Sequence, residues 1–384
     1  MRTARVGLVV PYLTGYRLPF FARLRDELDR RAIGLVVAHG RPVGMSAARR
    51  DTVGLPGSVA LSQRSWRIAG RDLIWHRIDD LARTTDALVL PQSMHHLRTL
   101  ALLAGPRRRP VGLWGHGRTH VSAHGPAERR AKAALTRRAD WFFAYTASGG
   151  DYAVRAGLPR DRVTVVHNTL DTTALVAARA AVTDSEVAGL RERHGLVPGR
   201  TALYVGGLDH LKRIPFLLDA ASRIAGLLPG FRLLLAGDGE LRPAIRSAEA
   251  AGAPIVYRGP ADAHDKALLA AVSDVLLVPG AVGLCAVDSF ALATPLVTCP
   301  WPYHGPEFEY LEDGRNALLA PDDPQAYADA VAGLLVRPDV LARLSRACQA
   351  DAARYTVEGM AARFAGGVEG LIHGTTHGGN IRTT

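Results

Sequence analysis

Short apolar runs recur along the first half of the chain and alternate with amphipathic stretches. The runs lack a period-two alternation, which is typical of parallel strands that are buried on both faces. Between the first two runs, Leu18, Phe21, Leu24 and Leu28 fall at helical spacing. This pattern predicts a doubly wound α/β domain. The predicted strands are Val6–Val10, Ile33–Ala38, Ala87–Leu90, Val111–Trp114, Trp141–Tyr145 and Val163–Val166.

The same alternation restarts after residue 200 and predicts a second Rossmann-like domain over residues 201–355. Residues 181–200 lack a strand signal, so we expect them to connect it to a first domain over residues 1–180. The last helical stretch, residues 356–372, is expected to pack back on the first domain. Because ligands bind beyond the carboxyl ends of such strands, the two domains are predicted to face a cleft. The predicted strands here are Ala202–Val205, Arg232–Ala236, Ile255–Tyr257, Val275–Val278, Leu296–Thr298 and Ala317–Leu319.

The composition, with 48% hydrophobic and 22% charged residues, is ordinary for a soluble enzyme. The three cysteines, Cys285, Cys299 and Cys348, have neither disulfide-framework nor zinc-site spacing, which favours a reducing cytoplasm. The first apolar run ends at Pro11 and is too short for a signal peptide. No uncharged apolar window approaches the length of about 20 residues that a membrane span needs.

Positive charge is concentrated in the first half of the chain. Residues 1–175 hold 28 Lys+Arg and 13 Asp+Glu, whereas the remainder holds 19 and 23. A basic half is suited to nucleic acid, an anionic membrane surface or an acidic substrate, although a solvated arginine-rich surface is an equal alternative. The sequence has no aromatic–basic motif for nucleic acid, so we expect no nucleic-acid partner. The amphipathic basic stretch Arg129–Arg138 would be the part that contacts a membrane surface.

Several common enzyme motifs are missing from the sequence. No Gly-x-Gly-x-x-Gly follows the first strand, and neither a P-loop nor a His-Glu-x-x-His segment occurs. Their absence argues against a nicotinamide dehydrogenase, a P-loop NTPase and a zinc protease. Instead, the segment Gly206-Gly-Leu-Asp-His-Leu-Lys-Arg213 enters a helix with two cations at its start. Cations are unfavourable there unless an anion such as a diphosphate is bound; the alternative is a loop with solvated charges.

Further residues at or beyond the ends of predicted strands are candidates for ligand contact. Glycines around Gly237 would allow close backbone approach, or simply form a tight turn. The turn at Gly283 and Leu284 would offer helix N–H groups to phosphate oxygens. Asp288, followed by Ser289 on the same apolar helix, would bind a ribose diol or pair with a buried arginine. His116 lies between two glycines after a strand of the first domain, where we expect a functional role.

Together these segments resemble the retaining glycosyltransferases of family 4, which have the glycosyltransferase-B fold of two Rossmann-like domains. In that family a Gly-Arg-Leu-x-x-x-Lys-Gly segment supplies cations to the donor diphosphate. Here Lys212 matches, Gly207 stands at the arginine position, and Arg213 is the hypothetical replacement. The family also has two acids separated by seven residues. Asp288 matches the second, which binds ribose, and Gly280 replaces the first, which contacts the donor sugar.

The resemblance implies a retaining transfer of a sugar from a nucleotide diphosphate donor to an acceptor hydroxyl in glycan, glycolipid or natural-product biosynthesis. A UDP-sugar is favoured as donor and a GDP-sugar is the alternative. His116 and Lys212 are the implied catalytic residues, and neither a metal nor a cofactor is expected. The implied donor-binding residues are Gly15, Gly207, Lys212, Arg213, Gly237, Gly259, Gly283, Leu284, Asp288 and Ser289.

The first domain is then expected to bind the acceptor, which its charge predicts to be anionic or lipid-linked. The protein would be cytoplasmic, with peripheral contact at the inner membrane face. Two other functions fit the same residues. One is a sugar-nucleotide-binding protein without catalytic activity, and the other is a different enzyme of the same fold, such as a sugar-nucleotide epimerase.

Overall fold

The computed structural model describes residues 3–44, 47, 52–68, 70–117 and 125–374. These residues form two compact units. The first comprises the described residues up to Leu170 and from Val357 onward, and the second is Asp171–Thr356. Among the described residues, none of the helices combines the length and hydrophobicity that crossing a bilayer requires.

The first unit is built on a parallel sheet with an antiparallel hairpin beside it. Each strand predicted from the apolar runs is present, whereas the short strand β3 and the hairpin of β4 and β5 were not predicted. The strands are β1 (Ala4–Val10), β2 (Ile33–His39), β3 (Val59–Ala60), β4 (Gln63–Ile68), β5 (Arg71–His76), β6 (Ala87–Pro91), β7 (Val111–Gly115), β8 (Trp141–Ala144) and β9 (Val163–Val165). The parallel sheet has seven of these strands in the order β3-β2-β1-β6-β7-β8-β9, so its winding reverses between β1 and β6.

The second unit contains a parallel sheet of the order β12-β11-β10-β13-β14-β15, and its winding reverses between β10 and β13. Both sheets are doubly wound, which confirms the predicted fold class. The strands are β10 (Thr201–Val205), β11 (Arg232–Ala236), β12 (Ile255–Gly259), β13 (Val275–Leu277), β14 (Leu296–Thr298) and β15 (Ala317–Leu319).

Helices connect the strands and cover both faces of each sheet, as parallel strand order requires. Some of them begin at Pro or at capping residues; for example, Thr183 and Glu186 form a capping box. The helices are α1 (Leu18–Asp29), α2 (Asp79–Thr84), α3 (Leu97–Ala104), α4 (Pro126–Arg137), α5 (Ala147–Arg155), α6 (Thr173–Ala181), α7 (Asp184–His194), α8 (Ile214–Leu227), α9 (Arg242–Ala250), α10 (Ala263–Ala271), α11 (Cys285–Ala291), α12 (Pro324–Leu335), α13 (Pro338–Ala352) and α14 (Val357–His373).

The boundary between the units differs from the sequence prediction. The first unit ends at Leu170 rather than at residue 180, and residues 181–200 are not a connection. The reason is packing, because α6 lies against α10 and α11, and α7 also contacts α10. The buried Leu175 of α6 is therefore covered by the second unit, whereas Val176 of the same helix is exposed.

The last helix, α14, belongs to the first unit, where the sequence analysis expected it. It packs along α1 and over the sheet. The ring of Phe364 stacks on Phe143 with centroids 4.3 Å apart. At Gly367 a Cβ would lie 2.6 Å from both the Phe143 ring and the Thr164 hydroxyl, so only glycine permits this approach.

Candidate donor site and acceptor cavity

The loops that follow β10 and β13 leave neighbouring strands at the point where the second sheet reverses its winding. Such a switch point is the usual ligand position in an open α/β sheet. The loop after β10 begins at Gly206, whose neighbour Gly207 accepts a hydrogen bond at its carbonyl from the Tyr204 hydroxyl (2.6 Å). The carboxylate of Asp209 then accepts one from the Lys212 amide (3.0 Å) and holds that residue in a tight turn.

Glycines allow these loops to touch each other. Gly237, after β11, has φ +146°, and a Cβ there would lie 1.9 Å from the Gly206 carbonyl oxygen. At Gly280, after β13, a Cβ would lie 2.3 Å from the Lys212 carbonyl carbon. A side chain therefore has no room at position 280, because the backbone of Lys212 occupies its place. This explains physically why no acid stands at that position.

Lys212 reaches across to the loop after β13, where its Nζ donates to the Ala281 carbonyl. That loop leads through Gly283 and Leu284 into α11, where the Ala286 and Val287 amides donate to the Gly283 and Leu284 carbonyls (3.0 and 2.9 Å). Burial raises the pKa of the Cys285 thiol in the first turn; Lys212 opposes this rise, whereas Asp288 adds to it. The cation and the carboxylate thus both act on the start of α11.

Asp288 is held by an unpredicted residue, Lys266 of α10. The Lys266 Nζ lies 3.5 Å from Asp288 Oδ2, while Oδ1 is buried without a hydrogen-bond partner among the described residues. Burial raises the pKa of this carboxyl group, and the lysine opposes that rise. If Asp288 had only a structural role, we expected it to pair with a buried arginine. Among the described residues, no arginine pairs with Asp288. A buried acceptor oxygen of this kind suits a ligand hydroxyl.

Ser289 does not fit its predicted role in donor binding. Its side chain is buried in the core face of α11, and its hydroxyl donates to the Ala286 carbonyl (2.7 Å) of the same helix. A helical turn places residue 289 about 100° around the axis from Asp288, so the two side chains cannot share one face. The assignment of Ser289 was wrong for this reason.

Arg213 was expected to contact the donor diphosphate, but in the structure it contacts other side chains of the protein. Its guanidinium lies between the rings of Phe216 and Trp301, 4.2 and 4.4 Å from their centroids. Its Nη1 is 2.5 Å from the Asp322 carboxylate. The charge of Arg213 is thus balanced within the protein, and Lys212 is the cation better placed for an anion.

Gly259 closes β12 with φ +76°, and its carbonyl accepts a hydrogen bond from the Gly237 amide (2.8 Å). This contact ties the loop after β12 to the loops already described. Gly15 instead lies in the first unit, where it starts the short turn Gly15–Arg17 that precedes α1. Its role in donor binding stays a prediction.

The structural role of His304 was not predicted from the sequence. Its Nδ1 accepts from the Val282 amide (3.0 Å) and its Nε2 donates to the Cys299 carbonyl (2.9 Å), which fixes the neutral tautomer. Burial lowers the pKa of His304, since a charged ring would be poorly solvated there. The side chain therefore braces the loop before α11 against the end of β14. No sequence pattern signals such a brace, because it joins residues on two separate loops.

The first unit has its own cavity of about 280 Å³ at the carboxyl ends of β1, β6 and β7. His116 lines it from an exposed position after β7, with its ring 4.3 Å from that of Tyr145. Flanking glycines bring this loop close to its neighbours, since a Cβ at Gly117 would lie 2.9 Å from the Gly149 Cα. The predicted placement of His116 at a ligand-sized opening agrees with this geometry.

A buried arginine forms part of the same cavity wall. Arg17 donates from Nη2 to the Asn168 side-chain oxygen (2.7 Å) and lies over the rings of Trp114 and Tyr145. Aromatic rings and a cation on one wall are suited to a polar organic ligand with apolar faces, such as a sugar. Among the described residues no cluster of His, Cys, Asp or Glu is arranged to hold a metal ion.

Residues 199–337 match the family model of the Glycosyl transferases group 1. The chain is 31% identical over 248 residues to the GDP-mannose-dependent alpha-(1-6)-phosphatidylinositol dimannoside mannosyltransferase of Mycobacterium tuberculosis, which covers 60% of this chain and 63% of that protein. The match thus spans less than two thirds of the relative's length.

Two solved structures share the architecture. HepE of Anabaena in complex with UDP-glucose superimposes with a TM-score of 0.64 at 17% identity, over 95% of this chain and 99% of that one. A putative UDP-N-acetylglucosamine 2-epimerase of Listeria monocytogenes superimposes with a TM-score of 0.61 at 14% identity, over the whole of both chains. At these identities the likeness concerns the fold alone. The chain therefore has the glycosyltransferase-B fold, and its residues 199–337 are similar to the Glycosyl transferases group 1 family.

Proposed function

We propose that this protein transfers a sugar from a nucleotide diphosphate donor to an acceptor hydroxyl, with retention of configuration. The contact between Lys212 and the loop that opens α11 is the observation that carries the proposal. It places a cation at the switch point of the sheet, beside the turn at Gly283 and Leu284, and a cation at such a position is suited to bind a diphosphate. The buried Asp288 Oδ1 would accept a hydrogen bond from the donor ribose.

In this mechanism the bond from the sugar to the diphosphate breaks as the acceptor oxygen attacks from the same face. The acceptor proton passes to the departing diphosphate oxygen, so no protein nucleophile takes part. Negative charge grows on that oxygen in the transition state, and Lys212 stabilises it more strongly there than in the bound donor. His116 would orient the sugar or the acceptor from its cavity in the first unit.

The names of similar proteins support a nucleotide sugar but divide on its base. The mannosyltransferase relative is named for GDP-mannose, and the HepE structure contains UDP-glucose. We favour a UDP-sugar, with a GDP-sugar as the alternative. The epimerase among the structural neighbours keeps epimerisation open as a second reaction of the same fold.

Thermal unfolding with UDP, GDP, dTDP and ADP, and with the corresponding monophosphates, tests the donor site. A ligand at about 100-fold its Kd stabilises the folded state by about 2.7 kcal/mol, which is a readily measured shift. We expect one diphosphate to raise Tm, and we expect Lys212→Ala to lose most of that rise. Arg223→Ala, at an exposed ion pair on α8 of the same unit, is the matched control. If no nucleotide raises Tm, the proposal fails.

Product analysis with the matching nucleotide sugar then separates the candidate reactions. Transfer to an added acceptor with retained anomeric configuration, read by NMR, supports the proposed reaction. Conversion of the donor into its epimer would replace it with epimerisation. Binding without any turnover over a broad acceptor panel would instead establish a sugar-nucleotide-binding protein.

A further inference from the structure

The hairpin of β4 and β5 buries one of its faces at Ile74 and His76 and exposes the other at Trp66 and Ile68. Side chains alternate across a strand, and the register pairs Trp66 with Leu73 and Ser65 with Ile74. Ile74 and His76, on one face, are buried. The opposite face, called here the outer hairpin face, is exposed at Trp66 and Ile68, whereas the Arg98 guanidinium of α3 lies 5.5 Å from the centroid of its Trp75 ring. It consists of Arg64, Trp66, Ile68, Arg71, Leu73 and Trp75.

The outer hairpin face is unusually apolar for a surface. Trp66 is 45% exposed and Ile68 is 58% exposed, although both lie on one short strand. Val59, a few residues earlier along the chain, is also exposed. Large apolar side chains that are exposed side by side on a monomer are typical of an interaction site.

Arginines frame this apolar surface. Arg64 is exposed next to Trp66, and Arg71 is half exposed at the far end of the same face. The Arg71 guanidinium lies 3.0 Å from Glu128, so the first turn of α4 adjoins the hairpin. That turn continues into the exposed Arg129 and Arg130. The surface thus joins a tryptophan and an isoleucine to a basic border.

This combination selects one kind of partner. A second copy of the chain would bring two basic surfaces together, and residues 1–175 hold 28 Lys+Arg against 13 Asp+Glu. Nucleic acid would use the arginines and the tryptophan ring, but it offers nothing to the exposed Ile68. An anionic lipid surface accommodates the tryptophan, the isoleucine and the arginines. Tryptophan and aliphatic side chains enter the headgroup region, while arginines bind lipid phosphates.

We propose that the outer hairpin face docks this protein on an anionic lipid surface, with Trp66 and Ile68 inserted among the headgroups. Arg64 and the adjoining arginines of α4 would lie over lipid phosphates. Docking does not depend on the proposed transferase activity, although it would bring a lipid-linked acceptor within reach. A membrane contact of the first unit would then involve the hairpin as well as the basic stretch of α4.

The test is cosedimentation of the full chain with vesicles of phosphatidylcholine alone and of phosphatidylcholine mixed with phosphatidylglycerol. We expect binding to the mixed vesicles only, weakened by salt because the attraction is electrostatic. The double variant Trp66→Ser/Ile68→Ser should bind at least tenfold more weakly. Val197→Ser/Val336→Ser, which removes two exposed valines of the second unit, should bind like the wild type. Unchanged Tm values show that the variants are folded.

A second measurement reads insertion directly. Subtracting the emission spectrum of Trp66→Phe from that of the wild type gives the emission of Trp66. This emission should shift to shorter wavelength when mixed vesicles are added. Wild-type protein that binds neither vesicle, or a double variant that binds as well as the wild type, would overturn the proposal. Binding to single-stranded RNA without binding to vesicles would overturn it in favour of nucleic acid. Nucleotide-induced Tm shifts, measured on the same variants, report separately on the donor site.

Discussion

Lys266 of α10 holds the carboxylate of Asp288 by one oxygen and leaves the other oxygen without a partner among the described residues. The Nζ to Oδ2 distance is 3.5 Å, and Oδ1 is buried. The lysine opposes the rise in the pKa of this carboxyl group that burial causes, and one oxygen remains as an acceptor for a ligand. Asp288 is therefore suited to bind a diol, and Lys266 to maintain the charge that makes that hydrogen bond strong.

Replacing Asp288 with Asn should weaken nucleotide binding without weakening the fold. A hydrogen bond to a charged group contributes about 1.5–3 kcal/mol, so we expect Kd to rise about tenfold or more. Calorimetric titration with the preferred diphosphate and with its dideoxyribose analogue measures this effect. The wild type should discriminate between the two ligands, and Asp288→Asn should lose that discrimination. Equal discrimination in both proteins would show that Asp288 does not contact the ribose.

The substitution Lys266→Met should destabilise the second unit in a pH-dependent way. Burial already raises the pKa of Asp288 above its ordinary value, and removal of the lysine raises it further. A carboxyl group with a raised folded-state pKa contributes stability at low pH that is lost as pH rises through that pKa. The loss of unfolding free energy relative to the wild type should therefore grow with pH, reaching about 1–3 kcal/mol near neutrality, as for a buried polar group that loses its partner. Urea denaturation at several pH values measures it, and a loss that is constant with pH would contradict this account.

The close contact at Gly280 makes a prediction about stability. A Cβ there would lie 2.3 Å from the Lys212 carbonyl carbon, so Gly280→Ala must push two loops apart. We expect a loss of about 1–3 kcal/mol in unfolding free energy, as for other overpacked sites. The matched control is Gly226→Ala on α8, where a Cβ would meet nothing within 4 Å. That change should leave stability unchanged or raise it slightly. If both variants unfold alike, the loops are looser than the structure indicates.

The sequence predicted the two sheets because buried parallel strands leave continuous apolar runs, and those runs are local. It did not predict the hairpin of β4 and β5, since Gln63-Arg-Ser-Trp-Arg-Ile68 is exposed and carries no such run. Residues 181–200 were assigned to a connection because they lack a strand signal, but their helix α7 packs on the second unit.

The site residues that could be predicted also differ from the others in depending on local sequence patterns. Lys212 and Asp288 were found because each lies at a strand end or on an apolar helix, where a charge stands out. The roles of Lys266 and His304 were not predicted, because they depend on partners that are distant along the chain: Asp288 for the first, and Val282 and Cys299 for the second. Ser289 shows the converse error. A polar residue next to a functional one was assigned the same role, although the helix directs it into the core.

His96 should make the first unit sensitive to acid. Burial lowers its pKa to about 3, with a smaller effect from the positive charge of His76, whose ring lies 5.2 Å away. The unfolded chain binds a proton at the ordinary histidine pKa of about 6.5, whereas the folded chain does not. Stability is therefore fully present above about pH 6.5 and falls with decreasing pH, with a slope of up to about 1.4 kcal/mol per pH unit for this one group.

The variant His96→Leu tests this dependence, because leucine fills the apolar surroundings of Val9, Ile74 and Leu90 without binding a proton. Tryptophan fluorescence during urea denaturation reports mainly on the first unit, since Trp66, Trp75, Trp114 and Trp141 all belong to it. At about pH 8 the wild type and the variant should differ little, as both sites are then uncharged. Between about pH 6.5 and 4 the variant should lose less stability than the wild type, because one proton is removed from the linkage. The opposite result would be unfolding free energies of the wild type and the variant that fall in parallel over that range. His96 would then take up its proton in the folded state as readily as in the unfolded one, and the cavity wall would be more hydrated than its burial indicates.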